Sequence, residues 1–485
     1  MAGTLCRLCS FSRTLSFSSD MRPSEKSYKA IFASSNLKKI YEEHIAKTSA
    51  IGIDRINRST FERNLNAEIA LIRRKAGNRS YHFSQFKEKL ISKGANRFPR
   101  VISIATFRDR ITLRAMCDIL KARFEGLLEL KIPQIVIHDL KREVASGKYN
   151  YFIKLDVQNF YPSISHAILR ETVKKRIKSA NVISLLDSAL ETPTVAVADK
   201  GRRAEPVGVP QGLSISNILA EIFLHRFDIW MEKKLGVKYF RYVDDVFALC
   251  TSDPAPFFSE MSRTLEGDFS LKVHDISLPG SKSVFGPIGE EFSFLGYLFV
   301  NGKARVKEQS IQRLESSLAD AFTTYKYRCQ EIKRKQKNKK LRRQNLTFAK
   351  NVLLWRVNLR ITGCIFENTR KGWVFYFSQI DDSSVEQLHK LDKTVESLMA
   401  RFNVSTTKKL RSFVRVYFEC RRRDPTERGY IPNFDTTSVA SMRRILESYF
   451  GQSVKGLSDA TVRSTFSFRI RRATRELEQD IQDIS

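Results

Sequence analysis

Residues 240–248 read Phe240-Arg241-Tyr242-Val243-Asp244-Asp245-Val246-Phe247-Ala248, two adjacent carboxylates between apolar and aromatic runs. The flanks predict two strands, so the acids fall at the tight turn of a hairpin, on the rim of a sheet. Taken alone, such a pair is as readily a solvated turn as a chemical site. Its companions along the chain change the reading.

Upstream, Tyr151-Phe152-Ile153-Lys154-Leu155-Asp156-Val157 predicts another apolar strand that ends on one aspartate, followed by the aromatic pair Phe160-Tyr161. Phosphoryl transfer by two divalent ions needs carboxylates from separate backbone segments, because the ions stand about 3.5 to 4 Å apart and bridge the attacking and leaving oxygens. Asp156, Asp244 and Asp245 are the candidates. Between them, Gly208-Val209-Pro210-Gln211-Gly212 predicts a turn whose glycines admit close backbone approach, and it runs into an apolar helix from Ser214 to Ile222.

In this order, Asp156 with its aromatic pair, the Pro-Gln-Gly turn and Tyr-Val-Asp-Asp resemble the palm of a reverse transcriptase. The resemblance extends over roughly residues 50 to 300. Gly52-Ile53-Asp54, Phe61, Tyr81-His82-Phe83, Arg100-Val101-Ile102-Ser103-Ile104 and Asp109-Arg110-Ile111 are similar to the fingers of group II intron, retron and related bacterial enzymes. Lys282 and Phe294-Leu295-Gly296-Tyr297 resemble the late palm lysine and the primer-grip hairpin.

The resemblance implies two magnesium ions, with manganese as the alternative, held by Asp156, Asp244, Asp245 and the backbone carbonyl of Val157. It implies nucleotide contacts from Lys93, Arg100, Tyr161, Gln211 and Lys282, with Tyr161 blocking a ribose 2′-hydroxyl. Template and primer contacts would come from Gly212, Tyr242, Phe294, Leu295, Gly296 and Tyr297. Arg110, beside Asp109, is expected to make a structural ion pair.

A net charge of +32, from 84 basic against 52 acidic residues, points to a polyanionic partner, and nucleic acid fits it best. No window approaches the ~20 apolar residues of a spanning helix, so no membrane association is expected. Seven cysteines without paired spacing suit a reducing compartment, and Cys6-x-x-Cys9 is only half of a zinc pattern. The first nineteen residues contain Arg7 and Arg13, many serines and no acid; a transit peptide, a flexible arm and a start at Met21 all remain open. With a bacterial character elsewhere, a cytoplasmic location is expected.

Residues 27–90 carry apolar positions at helical spacing and predict packing helices, followed by a strand at Val101-Ile102-Ser103-Ile104 and a helix from Ile111 to Phe124. Between Lys326 and Arg343 ten basic residues face one acid, Glu331. Lys333, Arg334, Lys335, Lys337, Lys339, Lys340, Arg342 and Arg343 are candidates for nucleic-acid backbone contact, against the alternative of a solvated helix face. Trp355, the block Trp373-Val374-Phe375-Tyr376-Phe377 and Val385, Leu388, Leu391, Val395 and Leu398 read as a helical core rather than as base-stacking platforms. The expected fold is α+β: an N-terminal arm and helix (1–45), fingers (46–150), palm with primer-grip hairpin (151–300), and a basic, helical, thumb-like lobe (301–485) completing a right-hand polymerase.

Leu213 and Asn217-Ile218-Leu219-Ala220-Glu221 depart from the intron-type pattern toward the bacterial abortive-infection and defence-associated branch. Residues 371–380 and Tyr430-Ile431-Pro432-Asn433-Phe434 are similar to the type 3 defence reverse transcriptases. That resemblance implies an RNA-dependent DNA polymerase in antiphage defence, using deoxynucleotides and a non-coding RNA as template or scaffold and releasing a DNA product. A second reverse transcriptase or other defence protein, and a homo-oligomer, are the implied partners. Template-independent or protein-primed synthesis in abortive infection, a retron-like enzyme, and a non-catalytic RNA-binding scaffold are the alternatives.

Overall fold

The computed structural model describes residues 28–46, 48, 50–92, 98–128, 132–199, 201, 205–407, 410–422, 424 and 426–482. In chain order the principal elements are α1 (Leu65–Gly77), β1 (Phe86–Ile91), β2 (Arg100–Ile104), α2 (Phe107–Arg123), β3 (Tyr151–Asp156), α3 (Ala180–Glu191), β4 (Thr194–Val195), α4 (Ser216–Glu232), β5 (Val237–Tyr242), β6 (Asp245–Cys250), α5 (Pro254–Phe269), β7 (Val284–Pro287), β8 (Phe292–Phe294), β9 (Tyr297–Val300), β10 (Lys303–Val306), α6 (Glu308–Lys335), α7 (Lys339–Thr362), β11 (Cys364–Phe366), β12 (Thr369–Lys371), α8 (Trp373–Phe377), α9 (Glu386–Arg401), α10 (Phe413–Cys420), α11 (Val439–Phe450) and α12 (Asp459–Gln482). The fold is α+β with a helical C-terminal region. Among the described residues no helix is long and apolar enough to cross a membrane.

The chain divides into two compact units: the described residues up to Leu128 with Tyr161–His225, and those of Glu129–Phe160 with Arg226 onward. In the first, β2-β1-β4 form a mixed sheet, with β1 antiparallel to β2 and parallel to β4. The helical spacing expected through Leu90 stops earlier, since Phe86–Ile91 is a strand paired with β2 through Leu90↔Val101. Lys87, Glu88 and Lys89 stand consecutively between Phe86 and Leu90-Ile91, so the strand carries no period-2 apolar signal and is set by its pairing with β2 and β4. Helix α2 begins at Phe107, four residues before the expected start at Ile111, because Thr106 caps it by accepting from the Asp109 amide; Ile111, Leu113, Met116, Ile119 and Leu120 are buried.

In the second unit the sheet order is β5-β6-β3-β7, antiparallel throughout. Directly opposed residues share a face, so Phe152, Lys154 and Asp156 lie beside Leu249, Phe247 and Asp245. The other face presents Ile153, Leu155, Val246 and Ala248, all fully buried. A ring cluster ties this sheet to the β8-β9-β10 sheet: Phe152 to Phe292 (4.6 Å), Phe247 to Phe294 (4.9 Å) and Phe292 to Phe299 (4.7 Å between centroids).

That cluster continues into α6, α7, α8, α9 and α10 as one core, which includes Trp373 to Phe377, Leu388, Leu391 and Val395. These aromatics are core, as the sequence predicts. A smaller core, with Leu359, Phe366, Leu446, Phe466 and Ile470, joins α7 to α11 and α12.

Candidate active site

The β5-β6 hairpin closes in two residues, Val243 and Asp244, with Tyr242 opposite Asp245. Val243 has φ +57°, and Asp244 is not among the positive-φ residues, the signature of a turn that favours glycine at its first central position. A β-branched residue there costs on the order of 1–3 kcal/mol and persists only where its surroundings over-determine it. Arg241 supplies that restraint. Its guanidinium makes a bidentate pair with Asp228 (2.7 and 2.5 Å) and donates to the Val243 carbonyl at 2.9 Å, while Tyr239 also donates to Asp228. With only 7% of its side chain exposed, Arg241 is a buried brace of the acid turn. The sequence reading missed it; a lone arginine inside an apolar strand was the available signal.

Asp156, at the end of β3, faces Asp245 across the sheet. One carboxylate oxygen, Oδ2, receives both His274 Nε2 (3.2 Å) and Lys282 Nζ (3.4 Å). The backbone around it is pinned as well: Ser283 Oγ accepts from the Asp156 amide, the Asp156 carbonyl accepts from His274 N, and Gln158 donates to the Lys272 and Val273 carbonyls. Val157 bridges Val273 and is buried. The structure thus sets Lys282, which the resemblance assigned to the nucleotide, against the Asp156 carboxylate and adds His274, which the sequence reading did not single out.

Burial first, then the Asp244 carboxylate, pushes Asp245 up to about 6; Asp156 adds to the rise, and Lys154 and Lys282 oppose it. Burial and repulsion from Lys154 hold Lys307 below its ordinary value. Among the described residues no three His, Cys, Asp or Glu side chains form a ready-made metal cage. The donor chemistry nevertheless fits divalent cations. Asp156 faces Asp245 across the sheet and Asp244 precedes it on the turn, so all three offer carboxylate oxygens, and a cation would offset the part of the Asp245 shift that comes from its neighbours rather than from burial.

Primer-grip candidates Phe294, Leu295 and Tyr297 are buried core side chains. Leu295 and Gly296 form the β8-β9 turn with φ of +45° and +80°, and Tyr297 donates to the Tyr376 carbonyl at 2.6 Å. The three named side chains therefore face the core, and the half-exposed positions of this hairpin are Ser293, Leu298 and Val300. Tyr242 is half-buried against the same core.

In the first unit, the Gln211 carbonyl accepts from the Ser103 amide (2.7 Å). Gly212 sits at φ +91°, and a Cβ there would lie 2.7 Å from Ile102 Cγ2. Only glycine fits so close to β2. Strand alternation places Arg100 on the Ile102 face. Tyr161 donates from its hydroxyl to Asn217 Oδ1 (2.8 Å), and its carbonyl accepts from Val209 N, which fixes the ring beside the glycine turn.

Lys93 lies outside the described residues, as do Cys6 and Cys9. The expected Arg110–Asp109 ion pair is corrected. Arg110 donates to the Ala105 and Ala50 carbonyls and to Thr48 Oγ1, whereas Asp109 accepts from Tyr81, Thr106 and the Ser84 amide. Adjacent residues on a helix point about 100° apart, so each found a different partner.

The basic run divides between two helices: Lys333, Arg334 and Lys335 close α6, Lys337 lies in the connection, and Lys339, Lys340, Arg342 and Arg343 open α7. Lys335 pairs with Glu331 at 2.6 Å. No side chain from 323 to 348 is buried.

Comparison with known proteins gives the same residues a family context. Residues 91–299 match the family model for reverse transcriptase (RNA-dependent DNA polymerase). Protein YkfC of Escherichia coli is 23% identical over 306 residues, spanning 54% of this chain and 78% of that protein. A putative COX1/OXI3 intron 1 protein of Saccharomyces cerevisiae is 28% identical over 28% of this chain, but the match spans only 17% of the yeast protein. Apo telomerase from Candida tropicalis, truncated from the C-terminal domain, aligns at TM-score 0.37 and 16% identity over 46% of this chain and 55% of that one, too weak a likeness to argue from.

Proposed function

We propose that this chain, whose residues 91–299 form a reverse-transcriptase-like domain, is an RNA-dependent DNA polymerase acting in antiphage defence. The observation that carries the chemistry is Asp156 standing opposite Asp245 across β3 and β6, with Asp244 beside it on a braced turn. In this reading the second unit supplies the palm, with Asp156, Asp244, Asp245 and the Val157 carbonyl as the ligands of two magnesium ions. Bound there, the ions would lower the pKa of the attacking hydroxyl and neutralise charge on the phosphates.

A primer or protein hydroxyl attacks the α-phosphorus of a deoxynucleotide and loses its proton to water. A new P–O bond forms, the α–β bridging bond breaks, and pyrophosphate leaves with the electron pair. In this reading Lys282, which stands on Asp156, offsets charge on that leaving group. His274 holds the Asp156 carboxylate in place.

The first unit would supply fingers contacts. Arg100 and Lys93 bind nucleotide phosphates, Gln211 and Gly212 support the templating base, and Tyr161, anchored on Asn217, excludes the ribose 2′-hydroxyl. Hairpin β8-β9 carries the primer terminus on its backbone, and the basic run of α6 and α7 meets nucleic-acid phosphates. The defence role, a non-coding RNA and a second reverse transcriptase as partner are supported by the sequence resemblance at Asn217–Glu221, 371–380 and 430–434.

The test is to purify the chain with RNA from its own locus, supply labelled deoxynucleotides and magnesium, and compare intact, ribonuclease-treated and Asp244→Ala/Asp245→Ala samples. DNA made only by the intact, RNA-bound enzyme supports the proposal. Synthesis that persists after RNA removal contradicts its RNA-templated part.

A further inference from the structure

Helices α6 and α7 are antiparallel partners, but their shared end carries no core. The last buried side chain on α6 is Phe322 and the first on α7 is Ala349. The intervening 323–348 stretch therefore adds no fully buried side chain, only partly buried ones such as Tyr325 and Phe348, and it concentrates ten cations against one acid. Such density is costly through self-repulsion unless a polyanion meets it.

The cations do not stand on a featureless rod. An open groove of about 640 Å³ runs along the first turns of α7, and one wall reaches Ser448 of α11. Lys339, Lys340 and Arg343 supply charge, Gln344 and Asn351 supply amides, and Phe348 supplies an aromatic ring. Phe348 is half-buried, with the Arg328 guanidinium 5.2 Å from its centroid and Gly451 so close that a Cβ there would lie 3.1 Å away. Cations in a row, amides able to pair with base edges, and a ring and guanidinium able to stack on a base are the features that recognise unpaired nucleotides. A duplex keeps its bases stacked inside and offers this ring nothing.

We propose that the groove at the base of this helical arm binds an unpaired stretch of nucleic acid, with phosphates on Lys339, Lys340 and Arg343 and a base against the Phe348–Arg328 layer. This deepens the polymerase reading and rests on it for nucleic acid as the polyanion. It assigns the arm a role in holding a single strand, separate from the acid-bearing sheet.

Binding of fluorescent single-stranded RNA, single-stranded DNA and duplex RNA to the full chain, read by anisotropy without nucleotides or divalent metal, tests it. Lys339→Gln/Lys340→Gln/Arg343→Gln should weaken single-strand binding and lower its salt slope by about 2, since each phosphate contact contributes about 0.7. Phe348→Leu keeps the apolar packing and removes the stacking face; it should weaken single strands by about 5- to 100-fold and leave duplex binding unchanged. Phe348→Tyr should restore binding. RNA and DNA strands losing affinity together place the recognition in base and phosphate, and loss for RNA alone places it also in the 2′-hydroxyl; either supports the assignment.

Unchanged single-strand affinity in both arm variants, or equal loss for duplex with Phe348→Leu, would overturn it. Wild-type protein that makes DNA while its arm variants bind normally removes the arm assignment and leaves the polymerase reading. Protein that makes no DNA yet loses strand binding with the arm variants does the reverse.

Discussion

The acid hairpin and the basic arm belong to one unit and are held by opposite means. Around Asp156, Asp244 and Asp245, strand register, a ring cluster and the Arg241–Asp228 brace fix the backbone so firmly that Val243 is kept at φ +57°. Along 323–348 nothing is buried, and charge is the dominant content. In the proposed reading the first region holds its carboxylate oxygens fixed for chemistry, and the second offers its charge to a nucleic-acid strand.

The difference can be broken at several points. Asp156→Asn or Asp244→Asn should abolish measurable DNA synthesis, a loss of at least about a hundredfold, with the thermal transition little changed. Retained synthesis would show that the hairpin is not the reacting centre. Arg241→Ala strands Asp228 in a largely buried setting and should cost about 3–5 kcal/mol in denaturant unfolding. A cost under about 1 kcal/mol would mean the turn is not braced as described.

Tyr161→Ala should raise ribonucleotide incorporation on the order of tenfold, and Tyr161→Phe should keep most of the discrimination while losing the Asn217 hydrogen bond. Val243→Gly relieves strain but adds chain entropy, so a gain of about 0.5–1 kcal/mol in stability is expected. A loss would deny the strain. On the arm, Glu331→Gln removes an exposed i,i+4 pair and should leave the thermal transition unchanged.

Much of the acid-bearing region was legible because its signals are local and periodic. Apolar runs with an acid at the end became β3, β5 and β6, and Phe294–Tyr297 became the predicted hairpin. What stayed hidden depends on distant partners. Asp228 lies 13 residues before Arg241, and His274 is over 100 residues from Asp156, so neither pairing leaves a local pattern. Arg110 was misread for the related reason that sequence adjacency to Asp109 does not bring two helical side chains together. The charged run Lys87-Glu88-Lys89 hid a strand whose partner, β2, begins only at Arg100.

The most direct test of the central claim is labelled deoxynucleotide incorporation by equal amounts of folded wild-type and Asp156→Asn protein, each with its bound RNA and magnesium. The account predicts product from the wild type and none above background from the variant. Equal product from both would contradict it.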